Sequence, residues 1–515
     1  MQEQLERDFG VITDLIRDHA KEAPGRLALT DGEASLDYGA LDALMDRVAA
    51  ALQRDGVGPG RAIATCAGTS ILHLAVFLGA VRAGVAVAPL APSSAPADLA
   101  RMLADAGAEV LFVDAAAAPA LAAIDPSVTR VALDGGDASA ARPLEDWLAP
   151  PGARPDRVAI EPESPFNIIY SSGTTGEPKG IVQGHRMRWL QVMRSAQFGF
   201  TTASLSLVST PLYSNTTLVT LLPTIAFGGG AVLMAKFDAG RYLQLAARYR
   251  VTHTMLVPVQ YQRVMARPDF ADHDLSSFRV KFCTSAPFAA ALKRDVLRRW
   301  PGALIEFYGM TEGGGTCILQ AHANPEKLHT VGRPAEGHDI RLIDDDGREV
   351  PPGEAGEIVG HSRAMMTGYH RRAEKTRETE WFDAEGKRFF RTGDVGRFDA
   401  DGFLVLLDRK KDMIISGGFN VYPSDLEAIL RPHPAVADVA VVGVPSVQWG
   451  ETPVAFVVRG GEPITEAELL AWFNARVGKT QRLGAVSFVG ELPRSAIGKV
   501  LKRELRDRYA PPAST

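Results

Sequence analysis

The sequence predicts an α/β protein: a large N-terminal domain of parallel-rich sheets covered by helices, a β-rich stretch, and a small α+β domain at the C-terminal end. Three observations predict it. Strand-like and helix-like apolar runs alternate up to about Thr330. Turn sequences, Asp344-Asp-Asp-Gly347 and Asp399-Ala-Asp-Gly402, then separate short apolar runs, which is hairpin chemistry. Beyond Asp412, helix-opening signatures return between strand-like runs. A length of 515 residues suits about three folding units.

Taken in order, Leu41–Gln53 has helical spacing, Ala62–Thr65 is a short apolar strand, and Ile71–Arg82 is helical. Val85–Pro89 reads as strand, Leu99–Ala106 as helix and Glu109–Val113 as strand. The pattern returns with strand Phe166–Tyr170, helix His185–Phe198, strand Val251–Val257, helix Leu292–Trp300 and strand Leu304–Tyr308. Such alternation builds parallel sheets. In the last hundred residues, Ser424-x-x-Glu427 and Thr465-x-x-Glu468 have the form of capping boxes. Ala437–Val444, Pro453–Val458 and Ala485–Val489 read as strands there.

Composition narrows the function. At 46% hydrophobic and 23% charged residues the chain is neither disordered nor low-complexity. A net charge of −5 gives no electrostatic case for nucleic acid or an anionic membrane as partner. Cys66, Cys283 and Cys317 form no CxxC pair and no disulfide framework, which points to the reducing cytoplasm. The charged start, Met1–Asp8, has no apolar leader. The long apolar stretches Ile71–Pro92 and Leu205–Ala235 are broken by His73, Arg82, Pro211, Asn215 and Pro223, so no integral membrane segment is expected.

The densest chemical signal is Tyr170-Ser-Ser-Gly-Thr-Thr-Gly-Glu-Pro-Lys-Gly180, directly after a strand. Glycines let backbone N–H groups turn inward. Hydroxyls and Lys179 add donors, and such a loop cradles phosphate oxygens. It is not a P-loop, because Lys179 follows Pro178 and precedes Gly180. His185 reads as a helix-start residue and His253 as a satisfied core histidine.

This segment resembles the signature of the adenylate-forming superfamily, which includes acyl-CoA synthetases, peptide-synthetase adenylation domains and luciferases. Further motifs follow in that family's order: Phe307-Tyr-Gly-Met-Thr-Glu312, Gly332-Arg-Pro334, Arg391-Thr-Gly-Asp394, Asp408-Arg-Lys-Lys-Asp412 running on to Pro423, and Pro493-Arg-Ser-Ala-Ile-Gly-Lys499. The resemblance spans nearly the whole chain. It implies a large N-terminal adenylation domain, 1–408, with a β-rich subdomain at about 330–408. It also implies a small mobile C-terminal domain, 409–515, carrying a catalytic lysine.

The resemblance also implies roles. Lys499, Thr174 and Glu312 are the expected catalytic residues, with Glu312 as the Mg²⁺ partner. ATP and AMP would be held by Ser171, Ser172, Gly173, Thr174, Thr175, Gly176 and Lys179. Ser285, Ala286 and Pro287 form the adenine-edge loop, and Tyr308 stacks on the base beside Gly309, Met310 and Thr311. Asp394 and Arg409 bind ribose or phosphate. Lys411 is the hinge, and Gly417 and Gly418 line the CoA tunnel. The acyl pocket is expected at Tyr213, Ser214, Asn215, Val257, Gly313 and Gly314, with Cys283 and Cys317 beside it. The glycines there would leave space for a tail, so acetate is not expected. Ser214 departs from the family, which usually has a His or bulky aromatic gate.

The expected activity is that of an ATP-dependent, AMP-forming ligase. It would activate a fatty or aryl carboxylic acid as an acyl-adenylate and transfer it to CoA. ATP, Mg²⁺ and CoA are the expected cofactors and co-substrates, and the expectation leaves room for a homodimer. The alternatives are a stand-alone enzyme loading an acyl-carrier protein, a non-catalytic acyl-adenylate-binding protein, and a luciferase-like oxidase. The end of the chain at Thr515, with no carrier module, favours CoA.

Overall fold

Two sheets, mostly parallel, carry out the alternation seen in the sequence. The computed structural model describes residues 2–5, 7–121, 124, 127–134, 141–171, 179–416, 419–446, 449–494 and 499–509. It falls into two compact units, Met1–Asp339 with Gly360–Phe390, and Ile340–Val359 with Arg391–Thr515. This division by packing differs from the expected break between 408 and 409. Within the second unit, Arg391 and Lys410 both reach Glu357, at 3.2 and 3.1 Å.

Among the described residues of the first unit, one sheet has nine strands and the other eight. In the larger, Leu27–Thr30, Gly230–Leu233, Leu205–Val208, His253–Leu256, Val280–Cys283 and Ala303–Gly309 lie side by side and parallel. Antiparallel neighbours finish each edge. In the smaller, Pro165–Ser171, Ala86–Leu90, Ala62–Cys66, Ala108–Val113, Thr129–Ala132 and Arg142–Pro143 run parallel. The strand Lys179–Gly184 is antiparallel to Pro165–Ser171.

One continuous core joins the facing sides of both sheets through the helices Ile12–Glu22, Tyr38–Arg54, Ile71–Arg82, His185–Arg194 and Asn215–Ala226. Ile71–Arg82 is apolar on nearly all sides and every residue but Leu72 is buried, which fits a helix inside the core. It packs closely on Tyr38–Arg54 because Gly79 has no side chain. The opposite face of the larger sheet meets Ala239–Arg248, whose Tyr242 hydroxyl contacts Thr254 at 2.9 Å.

In the second unit, Gly450–Arg459 lies between antiparallel Val436–Ser446 and parallel Ala485–Val489. The helices Pro423–Leu430 and Glu466–Asn474 cover one face and Lys502–Arg508 the other. The capping box at Thr465 and Glu468 forms as expected. The one expected at Ser424 does not. Pro423 takes the first helical position and holds Tyr422 extended, so Tyr422 becomes the N-cap and Ser424 falls inside the helix. Glu427 instead accepts from the Val441 backbone N–H and pairs with Lys502. No helix among the described residues is long and apolar enough to cross a membrane.

A Cβ at position 79 would lie 2.6 Å from Val48 Cβ and 3.0 Å from the Met45 carbonyl oxygen. Gly79→Ala should therefore force the two helices apart, at a cost of about 1–3 kcal/mol. Chemical denaturation should show a lower midpoint at unchanged slope. An unchanged midpoint would mean that the helices separate without penalty.

Candidate functional site

Neighbouring parallel strands of the larger sheet end on one edge, and the chain that leaves each of them carries expected site residues. After Leu205–Val208 come Pro211–Thr216; after His253–Leu256 comes Val257; after Val280–Cys283 come Thr284–Pro287; after Ala303–Gly309 come Met310–Glu312. Carboxyl ends of parallel strands are the usual place for a ligand crevice. The structure ties these loops together. Thr284 Oγ1 donates to the Phe307 carbonyl at 2.9 Å, and Ser285 Oγ and Thr216 Oγ1 lie 2.7 Å apart. Ser285 has φ +81°, an uncommon conformation for a residue with a side chain, held by these neighbours.

The Gly- and hydroxyl-rich loop joins two antiparallel strands. Tyr170 pairs with Gly180, and Ser171 with Lys179, across the mouth of the hairpin. Ser172, Gly173, Thr174, Thr175 and Gly176 lie outside the described residues, as do Gly417 and Gly418. The strand Lys179–Gly184 leads into the helix His185–Arg194. His185 starts that helix, and burial pushes its imidazole down to about 4. His253 is the core histidine expected: its ring nitrogens meet Thr252 Oγ1 and the Phe198 carbonyl at 2.8 and 3.1 Å.

Glu312 is fixed from two sides. Its backbone carbonyl accepts from the Met366 N–H at 2.8 Å. Its carboxylate accepts from the Tyr369 hydroxyl, also at 2.8 Å. The Lys179 ammonium sits 5.4 Å from the centre of the Tyr369 ring. Burial, and then the Glu312 charge, push the Tyr369 phenol up, so it stays a donor. Gly368–Tyr369 is itself paired to Val182 and Ile181 of the hairpin. Tyr369 thus links Lys179, at the end of the expected phosphate loop, to the expected metal partner. Sequence reading did not single it out.

The acyl-pocket expectations meet two corrections. A Cβ on Gly314 would stand 2.7 Å from Phe390 Cβ, and one on Gly313 would stand 2.1 Å from the Ala364 carbonyl oxygen. The missing side chains at these two positions make room for the protein's own packing, not for a ligand tail. Ser214 caps the helix Asn215–Ala226, accepting from the Thr216 N–H at 3.3 Å. Val257 caps Pro258–Met265 and is buried. Burial raises the Tyr213 phenol. Cys283 and Cys317 are fully buried in strands, with thiols pushed up by burial.

Sequence reading also missed a buried polar cluster beside this edge. Gln183 Nε2 donates to the Thr311 carbonyl at 2.7 Å and to Asn215 Oδ1 at 3.3 Å. The signal was present: Asn167 and Gln183 are amides flanked by apolar residues within strands, Pro165–Ser171 and Lys179–Gly184.

The second unit gathers the remaining expected residues. Asp394 and Arg409 face each other on paired strands, with Arg409 Nε 3.0 Å from Asp394 Oδ1. Lys499 stands beside the Arg494–Val500 bridge, which the Asp438–Arg494 pair anchors at 2.6 Å. Burial first, and then Arg409, push the Lys499 ammonium down to about 8, while Asp394 opposes the shift. Lys411, also nearby, lies in the turn after Leu404–Arg409, where Asp412 N–H bonds back to the Arg409 carbonyl at 2.9 Å.

The fold and these loops define the class: an α/β enzyme with its candidate site at the carboxyl ends of parallel strands. Comparison gives the family. Residues 16–370 match the model of the AMP-binding enzyme, and residues 425–499 match the AMP-binding enzyme C-terminal domain. The chain belongs to this family. A feruloyl-CoA synthase from Amycolatopsis sp is 35% identical over 495 residues, covering 95% of this chain and 97% of its own. An indoleacetate–CoA ligase from Aromatoleum aromaticum is 32% identical, covering 97% and 98%. The solved amide bond synthetase from Marinactinospora thermotolerans superposes with a TM-score of 0.85 at 29% identity, over 96% of this chain and 99% of that one.

Two outcomes are expected. Tyr369→Phe keeps the ring beside Lys179 and removes the donor to Glu312. The KM for ATP should rise about tenfold, the effect of one lost bond to a charged group, with thermal stability held. An unchanged KM would show that the ring alone matters. Gly314→Leu should lower the unfolding temperature and reduce AMP release equally for a four-carbon acid and an aryl acid. A selective loss for the larger acid would restore the pocket role.

Proposed function

We propose that this chain is an ATP-dependent, AMP-forming carboxylic acid:CoA ligase that acts on an aryl acid of the ferulate or indoleacetate kind. The family and the CoA ligases among its relatives support the reaction class. The observation that carries the adenylation step is the grouping of Lys499 with Asp394 and Arg409 in one unit.

In the proposed first half, a carboxylate oxygen attacks the α-phosphorus of ATP and the bond to pyrophosphate breaks. Lys499 neutralises charge that builds between the two anions. Asp394 accepts from the ribose hydroxyls, Tyr308 stacks on the base, and Lys179 with its loop holds the phosphates. In the second half, the CoA sulfur attacks the acyl carbon, the thiol proton leaves, and AMP departs with the C–O electron pair. Lys411 is the proposed pivot between the halves, and Gly417 and Gly418 the proposed path of the pantetheine arm.

Mg²⁺ is the metal the family implies. Among the described residues no three His, Cys, Asp or Glu side chains gather into a metal cluster. One fixed carboxylate, Glu312, suits Mg²⁺, which takes one or two carboxylates and completes its shell with phosphates and water. When bound, it supplies charge neutralisation at the phosphates. The amide bond synthetase supports a second reading, in which an amine replaces CoA as acceptor. The buried free cysteines fit the proposed cytoplasmic setting.

AMP release over a panel of aryl and fatty acids, with and without CoA, tests the proposal. Dependence on CoA supports the ligase, and release with amines but not CoA supports the second reading. The Lys499 ammonium gives a sharper check. Its protonated form does the work, so kcat/KM for ATP–pyrophosphate exchange should fall as pH rises through about 8. Lys499→Arg should abolish that fall, and Lys499→Ala should remove exchange while sparing thioester formation from supplied acyl-adenylate. Equal loss of both halves would make the lysine structural.

A further inference from the structure

Arg188 is fully buried, and among the described residues it has no carboxylate partner. Its guanidinium instead meets three amide oxygens. Nε donates to Asn167 Oδ1 at 3.0 Å, Nη1 to Gln191 Oε1 at 2.9 Å, and Nη2 to Gln183 Oε1. Buried Arg82 and Lys293 by contrast sit against carboxylates, Asp42 and Asp46 for the first and Glu306 for the second, while buried Lys281 meets three backbone carbonyls. Burial without a counter-charge pushes Arg188 down to about 9, so it is still charged at neutral pH.

This cation decides which way Gln183 points. Arginine only donates, so the Gln183 oxygen must face it. That oxygen also accepts from Asn167 Nδ2 at 2.9 Å. The Gln183 N–H₂ is thereby turned toward the sheet edge, where it spends one hydrogen on the Thr311 carbonyl and the other on Asn215 Oδ1. All four bonding positions of Gln183 are used. Thr311 precedes Glu312, and Asn215 opens the helix whose Thr216 meets Ser285. One side chain on the phosphate hairpin therefore holds two separate loops of the candidate site.

We propose that Gln183, oriented by Arg188, is a positioning residue for the adenylation step, fixing Thr311 and Asn215 relative to the hairpin that carries the phosphate loop. The proposal rests on the ligase reading above. It predicts that orientation, and not packing, is what Gln183 contributes.

Gln183→Glu separates the two. The carboxylate keeps both acceptor contacts and gains an ion pair with Arg188, but it has no hydrogen for Thr311 or Asn215. The unfolding temperature should hold or rise. ATP–pyrophosphate exchange with ferulate should fall by about tenfold or more. In Arg188→Met the amide loses the group that aims it, so exchange should fall while stability holds, because a buried cation is replaced by an apolar chain. Full exchange activity in Gln183→Glu, or stability and activity falling together in both variants, would overturn the positioning role. If Gln183→Glu does not fold, Arg188→Met decides alone: stable and slow supports the role, stable and fully active overturns it. A wild-type enzyme that shows no exchange with any acid of the panel would instead overturn the ligase reading.

Discussion

The antiparallel pairing of Pro165–Ser171 with Lys179–Gly184 is the constraint on which the first unit's site depends. The ladder fixes the two ends of the expected phosphate loop by setting Ser171 opposite Lys179. Gly180 permits the close fit: a Cβ there would stand 2.8 Å from Ile168 Cγ2 and 3.2 Å from the Tyr170 ring. That ring in turn anchors the hairpin, donating from its hydroxyl to Asp105 at 2.7 Å. On the other side the His370 N–H donates to the Gly180 carbonyl at 2.7 Å, bringing Tyr369 over Lys179.

The same hairpin packs against a costly electrostatic feature, Arg188 on the helix that follows it. A buried cation without a carboxylate is under-solvated, and three amide oxygens replace water only in part. A carboxylate could supply the counter-charge, as Glu306 does for Lys293. A carboxylate at position 183, however, could not donate to Thr311. Amides are the side chains that can accept from a cation on one end and donate to a carbonyl on the other. The composition of the cluster follows from that double requirement.

Much of this was legible in the sequence, for identifiable reasons. Ile71–Arg82 and Ala485–Val489 have the bounds read from their apolar runs, because burial dictated their residues. The order of loops on the sheet edge followed from the alternation, since parallel strands put their carboxyl ends together. Contacts across sequence were not legible. Nothing local tells that Gly314 faces Phe390, so its missing side chain read as open space. Nothing local pairs Tyr369 with Glu312, which lies 57 positions away. Ser424 misled because its spacing to Glu427 was right while Pro423 had already claimed the start of the helix.

The second unit concentrates charge differently. Asp394 and Arg409 form a half-exposed pair, and Lys499 is pushed down by burial and by that arginine. A depressed ammonium is one whose charged form lacks stabilisation, and an anion that supplies it gains the difference. In the proposed reaction the nucleotide phosphates are that anion, so nucleotide binding and protonation of Lys499 should each favour the other. A fully solvated lysine would already have its charge satisfied by water and would gain less from the phosphates. Burial thus weakens the lysine as a free cation and strengthens its response to a polyanionic substrate. That trade suits a group required only while charge is developing at the α-phosphate.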